Sequence, residues 1–234
     1  MPPIVKDGRH SRWDDHRETR RAELVEAAVA AIDEHGPTAS IADIASSAGV
    51  SKPVLYRYFS DKADLLAAVG AYGADLVMAA MAPALVADGA LRERVDTACD
   101  AYLALLEEHP NVFLLLVRQR AGNDETGDPL ADGKAAIAAA IAVVMSDALR
   151  GLGLDTGGAE PWAHGLVGLG MATGEWWLTR RTMSRASVSA YLSSFVWHAL
   201  QGISQSYGVA IDGASGELRL VPPAEDPTDR EAGA

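Results

Sequence analysis

Between Gly49 and Lys62 the chain reads GVSKPVLYRYFSDK, a stretch whose residue types suit a polar face on an apolar anchor. Stepping about 100° per residue from Leu55 brings Phe59 to the same side of a helix and leaves Pro53, Val54 and Arg57 on the other, with Tyr56 and Tyr58 on the flanks. Leu55 and Phe59 are therefore expected to face a core. An outward guanidinium can take guanine O6 and N7 as a bidentate pair, Pro53 and Val54 can touch thymine methyl groups, and the two phenols can reach phosphate oxygens. Lys52 stands where it reaches either a base or a phosphate. At 1.5 Å per residue a helix from Lys52 to Phe59 is about 12 Å long, the width of a major groove.

The elements that must hold this segment are legible around it. Leu24, Ala28, Ala31, Ile32 and His35 mark one face of a first helix that Gly36 and Pro37 end. Ser40 with Asp43 forms a capping box at the start of a short second helix, which Gly49 closes. Ser51 is expected to cap the third helix, where Pro53 is tolerated because first-turn amides lack intrahelical partners. Ser60, Asp61 and Asp64 start a fourth helix running towards Met81 and Pro83. IADIA followed by AGVS, with small Ala45 and Gly49 at the turn, has the sequence form of a helix-turn-helix. Ser40, Ser51 and Lys62 at helix starts, with Arg20 or Arg21, are candidates to hold phosphates, and Arg9 and Arg12 to enter a minor groove from a flexible arm.

Residues 20–69 resemble the DNA-binding head of TetR-family transcriptional regulators, most specifically through GVSKPVLYRYFSDKADLL with IADIA ahead of it. The resemblance implies DNA contact by Ser40, Ser51, Lys52, Pro53, Val54, Tyr56, Tyr58 and Lys62, with Leu55 and Phe59 in the core. Pro53 departs from the small residue common in the family at that position. What the resemblance implies further is a homodimer, each subunit a head joined to a ligand-binding body, repressing transcription until a small molecule binds. The body is similar to actinobacterial members carrying a WAHG segment, here Trp162 to Gly165, beside GLVG and a tryptophan pair at Trp176 and Trp177. Some similar members respond to fatty acyl or other lipid effectors.

Length and composition agree with a chain of this kind. At 234 residues and roughly 150 residues per domain, one domain or two modest ones fit. Apolar residues make up 49% and charged ones 22%, which excludes wholesale disorder. A single cysteine, Cys99, excludes an internal disulfide and a zinc site built on several thiolates. The N-terminus lacks the apolar region of a signal peptide and no stretch reads as a spanning helix, so a cytoplasmic protein without membrane attachment is expected. The net charge of -12 is unevenly divided. Residues 1–70 carry nine Lys/Arg against eleven Asp/Glu, while the remainder carries eleven against twenty-one. A near-neutral head can still present a local positive face.

The fold class expected is all-α: a flexible tail over residues 1–16, a helix-turn-helix head over 17–69, a helical-bundle body over 70–208, and a small hairpin with an acidic disordered tail over 209–234. The body helices fall near 89–108, 111–121, 130–150, 160–181 and 185–207. Gly165, Gly168, Gly170 and Gly174 load one of them with residues that cost a helix about 1 kcal/mol each relative to Ala, which points to close approach by another helix. That helix and the last, with Tyr191, Leu192, Phe195 and Val196, are candidates for a four-helix dimer interface. Met78, Tyr102, Phe113, Leu116, Met171 and Trp176 are candidates to line an apolar effector cavity. Glu175, a carboxylate in an apolar helix, is expected to pair with Arg118 or Arg120, to meet a polar ligand group, or to sit in solvent.

Signals of catalysis are poor. His10, His16, His35, His109, His164 and His198 form no HExxH, no nucleophile elbow occurs, and Gly165 to Gly170 neither has the dinucleotide spacing nor follows a strand. No enzyme, metal or cofactor is expected. The partners expected are a double-stranded DNA operator, a small hydrophobic effector and a second copy of the chain. Two rivals stay open: an effector-free DNA-binding protein working through a protein partner, and a helical carrier or enzyme unrelated to DNA.

Overall fold

The computed structural model describes residues 8–122, 128–211 and 218–220 of the chain, with side chains from His16 to Gln119 and from Asp128 to Ile211. Among them the elements run α1 (Gly8–His35), α2 (Ile41–Ser47), α3 (Lys52–Leu55), α4 (Lys62–Val86), α5 (Leu91–Glu108), α6 (Pro110–Gly122), α7 (Ala131–Gly151), α8 (Ala159–Arg180) and α9 (Arg185–Ser206), followed by strands β1 (Val209–Ile211) and β2 (Leu218–Leu220). The all-α class expected from the sequence is what is seen. The strands pair antiparallel with Val209 opposite Leu220, as the alternation of residues 209–221 predicts. The intervening turn and the acidic tail lie outside the described residues.

The chain folds as two compact units that interleave along the sequence. One comprises residues up to Val77 together with Leu105–Ile137; the other comprises Met78–Ala104 and everything from Ala138 onward. The expected division at residue 69 follows chain order and so misses α6. Val112, Leu115 and Leu116 of α6 are buried in the same core as Leu24, Ile32, Ile44, Leu55, Phe59 and Val69. A helix-turn-helix alone offers little apolar area to bury, and α6 supplies the missing wall.

In the first unit, α1 ends as the sequence indicates. Gly36 takes φ +86, a conformation that costs residues with a Cβ, and its amide donates to the Ile32 carbonyl at 2.9 Å. The other end differs, because α1 begins at Gly8, inside the stretch expected as a flexible tail. Arg9 and Arg12 therefore lie on helical backbone rather than on an arm ahead of it. Farther along, Gly70 on α4 lies against the Pro129 carbonyl, where an added Cβ would stand 2.2 Å from that oxygen, and a Cβ added at Gly133 on α7 would stand 2.8 Å from that of Ala74. Those glycines let α4 and the start of α7 touch backbone to backbone.

In the second unit, α4 continues to Val86 although Met81 and Pro83 read as its end. Arg94 accounts for this by donating from Nε to the Ala84 carbonyl at 3.0 Å and from its second amino group to that of Leu85, which caps the carbonyls the helix leaves open. By length and composition α4 is also apolar enough to cross a membrane, contrary to the expectation that no stretch approaches this, and 22% of its most apolar window is buried inside the protein. On α8 and α9, Trp177, Leu178, Val188 and Leu192 are all buried. Trp177 Nε1 donates to the Met183 carbonyl at 3.0 Å, which fixes the corner between them.

Candidate nucleic-acid interface and effector chamber

The segment from Ser51 to Lys62 is held from beneath by Leu55 and Phe59, each 1% exposed. Ser51, Lys52, Pro53, Tyr56, Arg57 and Lys62 are exposed, and Val54 is half-buried. The split between anchor and face is thus the one the helical spacing predicts. The winding is tighter than expected. The α-helical part stops at Leu55, and the amides of Arg57 and Tyr58 donate to Val54 and Leu55, three residues back, at 3.2 and 3.0 Å. Phe59 must enter the core while α4 begins at Lys62, so the last turn is compressed.

Two further expectations change in detail. Ser51 occupies the cap position with extended backbone but makes no side-chain hydrogen bond to the helix. Tyr58 is half-buried and packs against the head core, which leaves Tyr56, 44% exposed, as the freer phenol.

Ser40 does cap α2 as expected. Its Oγ accepts from the Asp43 amide at 3.3 Å and donates to Asp43 Oδ2 at 2.7 Å, while the Ser40 amide donates to the same oxygen at 2.8 Å. These bonds, the side-chain one first, hold the Asp43 carboxyl below the usual carboxylate range. Asp61 accepts from the Asp64 amide at 2.8 Å, and Asp64 from the Ser60 amide at 2.9 Å.

The spacing alone did not reveal the brace behind this face. Arg21 donates to Asp64 Oδ1 at 2.6 Å and lies over the Phe59 ring at 4.7 Å from its centre. A candidate phosphate ligand is thereby engaged in tying α1 to α4 and to the anchor of the exposed segment. Arg20 is likewise paired, with Glu23. An Asp placed in the first turn of α4, with an Arg on a helix that must cross it, was the available signal.

The candidate effector residues are divided between the two units. Met78, Tyr102 and Met171 belong to the second unit and are half-buried. Tyr102 donates its hydroxyl to the Gly170 carbonyl at 3.0 Å, and burial pushes its phenol well above the ordinary tyrosine range. Phe113 and Leu116 belong to the first unit, where Leu116 is 3% exposed and serves the head core. Trp176 is exposed, and its neighbour Trp177 is the buried one. Adjacent helical residues diverge by about 100°, so a tryptophan pair can send only one ring inward. Glu175 is exposed, as is Arg118, which belongs to the other unit; the side chain of Arg120 lies outside the described residues.

Tyr191 and Phe195 on α9 are also exposed, at 69% and 64%. Gly165 and Gly168 on α8 and Gly202 on α9 have nothing within 4 Å of an added Cβ. Among the described residues, nothing therefore requires glycine at these positions. Gly170, by contrast, faces the Tyr102 ring at 3.7 Å.

Comparison with known proteins matches residues 24–69 to the family model described as bacterial regulatory proteins, tetR family, and residues 80–211 to the tetracyclin repressor-like C-terminal domain. An uncharacterised HTH-type transcriptional regulator of Mycobacterium tuberculosis is 34% identical over 206 residues, covering 88% of this chain and 87% of its own. The HTH-type transcriptional activator FasR of Mycolicibacterium smegmatis is 30% identical over 191 residues, covering 80% and 85%. Among solved structures, a tetR-family transcriptional regulator from Streptomyces coelicolor superposes with TM-score 0.61 at 26% identity, over 81% of this chain and 83% of that one. The regulator FadR from Bacillus subtilis, solved in complex with stearoyl-CoA, superposes with TM-score 0.59 at 18% identity, over 74% and 95%.

Proposed function

Because this chain belongs to the TetR family of transcriptional regulators, we propose that it binds a near-palindromic operator as a homodimer and is released by a hydrophobic effector. The observation that carries the reading is the division of one short segment into a buried anchor, Leu55 and Phe59, and an exposed face of Lys52, Pro53, Tyr56 and Arg57. Arg57 reads guanine, Pro53 and Val54 meet thymine methyl groups, and Lys52, Lys62, Tyr56, Tyr58 and the cap hydroxyls of Ser40 and Ser51 position the duplex on its phosphates. Paired heads address successive major grooves about 34–36 Å apart.

The dimer forms through α8 and α9. Trp176 on α8 and Tyr191 and Phe195 on α9 are exposed apolar side chains, and Gly165, Gly168 and Gly202 have nothing within 4 Å of an added Cβ. The second unit takes the effector among Met78, Tyr102 and Met171, whose apolar character suits an acyl chain; FadR, a relative in fold, was solved with stearoyl-CoA. The protein acts in the cytoplasm, where the chromosome is.

Selection of duplexes from random-sequence DNA, followed by salt-dependent mobility shifts, tests the reading. A near-palindromic site with a steep salt slope supports it, because neutralised phosphates release counterions. Absence of any selected site overturns it. Stearoyl-CoA is the first effector to try, and lowered operator affinity on its addition supports an acyl effector. Repression is the proposed sign of control, whereas FasR is named an activator. A reporter behind the selected site decides: expression rises on deletion of a repressor and falls on deletion of an activator.

A further inference from the structure

A polar clasp joins the last turn of α1 to the corner between α5 and α6, wholly within the first unit. His109 Nδ1 lies 2.6 Å from Asp33 Oδ2, and Asn111 Nδ2 donates to the Asp33 carbonyl at 2.9 Å. The other carboxylate oxygen, Oδ1, is buried without a hydrogen-bond partner. His109 Nε2 stands 4.0 Å from Glu108 Oε1, so the imidazole lies between two carboxylates. A half-satisfied carboxylate is an expensive way to fasten two helices. Val112, Leu115 and Leu116 already fasten α6 to the head core through apolar contact. Adhesion therefore does not explain the clasp, and directional bonds that fix one orientation do.

Its placement says what is being oriented. Ile32, beside Asp33, is fully buried. The chain then turns at Gly36, whose carbonyl accepts from the Ala39 amide at 3.0 Å, and delivers Ser40 as the cap of α2. On the other side, the chain passes into this unit at Leu105, just before His109. The clasp thus grips the turn that aims the helix-turn-helix, at the corner where the chain arrives from the second unit. We propose that His109 and Asn111 are positioning residues that hold Asp33, and through it the start of α2, in the geometry the operator requires. The inference rests on the operator-binding reading above.

A preset head loses less freedom on docking, so loosening it weakens the two-headed specific complex and spares non-specific contact with phosphates. The test measures affinity for a duplex selected by the wild-type protein and for an unrelated duplex, with urea unfolding alongside. Asp33→Ala and His109→Ala each weaken operator binding about tenfold, within the range usual for coupled sites. The double variant is no weaker than either single one, because both remove the same bond. His109→Gln, which keeps a donor, recovers most of the loss, and the unrelated duplex binds as before. The proposal is overturned if folded single variants keep wild-type operator affinity, if both duplexes weaken alike, or if the two losses add. Should Asp33→Ala fail to fold, His109→Ala against His109→Gln decides alone. If the wild-type protein selects no duplex, the operator-binding reading fails and this inference fails with it, whereas selective binding untouched by the clasp variants sinks only the latter.

Discussion

Gly70→Ala should damage the protein although alanine is the better helix former. The added Cβ would stand 2.2 Å from the Pro129 carbonyl oxygen, where real Cβ atoms keep at least 3.0 Å, so the backbones must separate by the difference, 0.8 Å. The carbonyl has little room to retreat. The Leu130 amide donates to Asp128 Oδ1 at 2.9 Å and the Lys134 amide to the Leu130 carbonyl at 2.9 Å. Lys134 also pairs with Asp128, and Gly133 is already pressed against Ala74. Overpacking of this kind costs about 1–3 kcal/mol, against a gain of about 0.5–1 kcal/mol from replacing glycine in a helix. A net loss of about 1 kcal/mol lowers the melting temperature by about 2–4 °C in a chain of this size. Gly73→Ala on the same helix is the control, since nothing lies within 4 Å of its Cβ position, and it should stabilise by about 0.5–1 kcal/mol. Thermal and urea unfolding of both variants provide the measurement. Equal stability of Gly70→Ala and wild type, or a loss in Gly73→Ala matching that in Gly70→Ala, would refute the close-contact reasoning.

Other outcomes follow from the same geometry. Phe195→Lys should shift the protein to monomer in sedimentation and abolish tight operator binding, and a dimer of undiminished stability would show that α9 is not the interface. Gly168→Ala should loosen the dimer, although alanine favours the isolated helix by about 1 kcal/mol. Removing the Tyr102 hydroxyl with Tyr102→Phe breaks the bond to the Gly170 carbonyl and should cost about 1 kcal/mol in urea unfolding. Burial, with the Asp96 charge adding to it, pushes the Cys99 thiol up from 9.0 to about 12. A raised folded value means that its contribution to stability is complete below pH 9.0 and is lost as pH rises through about 12. Iodoacetamide at pH 8 should therefore leave Cys99 unmodified in the folded protein and label it in urea, and rapid labelling of the folded protein would contradict its burial.

The sequence made the head legible because its signals are local. Leu55 and Phe59 face inward by helical spacing alone, and Ser40 with Asp43 announces its capping box at a separation of three. What escaped depends on distant partners. That Leu116 closes the head core was invisible in a segment reading simply as a body helix. Of the tandem tryptophans the sequence points to Trp176 as the ring lining a cavity, but the buried one is Trp177, fixed by its bond to Met183. Arg21 looked like a phosphate ligand because its partners, Asp64 and the Phe59 ring, come from later helices. The shortening of α3 is also a tertiary effect, since Phe59 must reach the core before α4 begins.

The most direct measurement of the DNA-reading proposal is the affinity of Arg57→Ala for the selected operator and for an unrelated duplex across a salt series. Arg57 is exposed on the face opposite Leu55 and Phe59, and loss of a bidentate base contact should weaken the operator complex by about 1–3 kcal/mol and relax the preference at one base pair. Affinity for the unrelated duplex and the salt slope should stay as they were. Equal weakening on both duplexes, with a shallower slope, would contradict base reading by this segment.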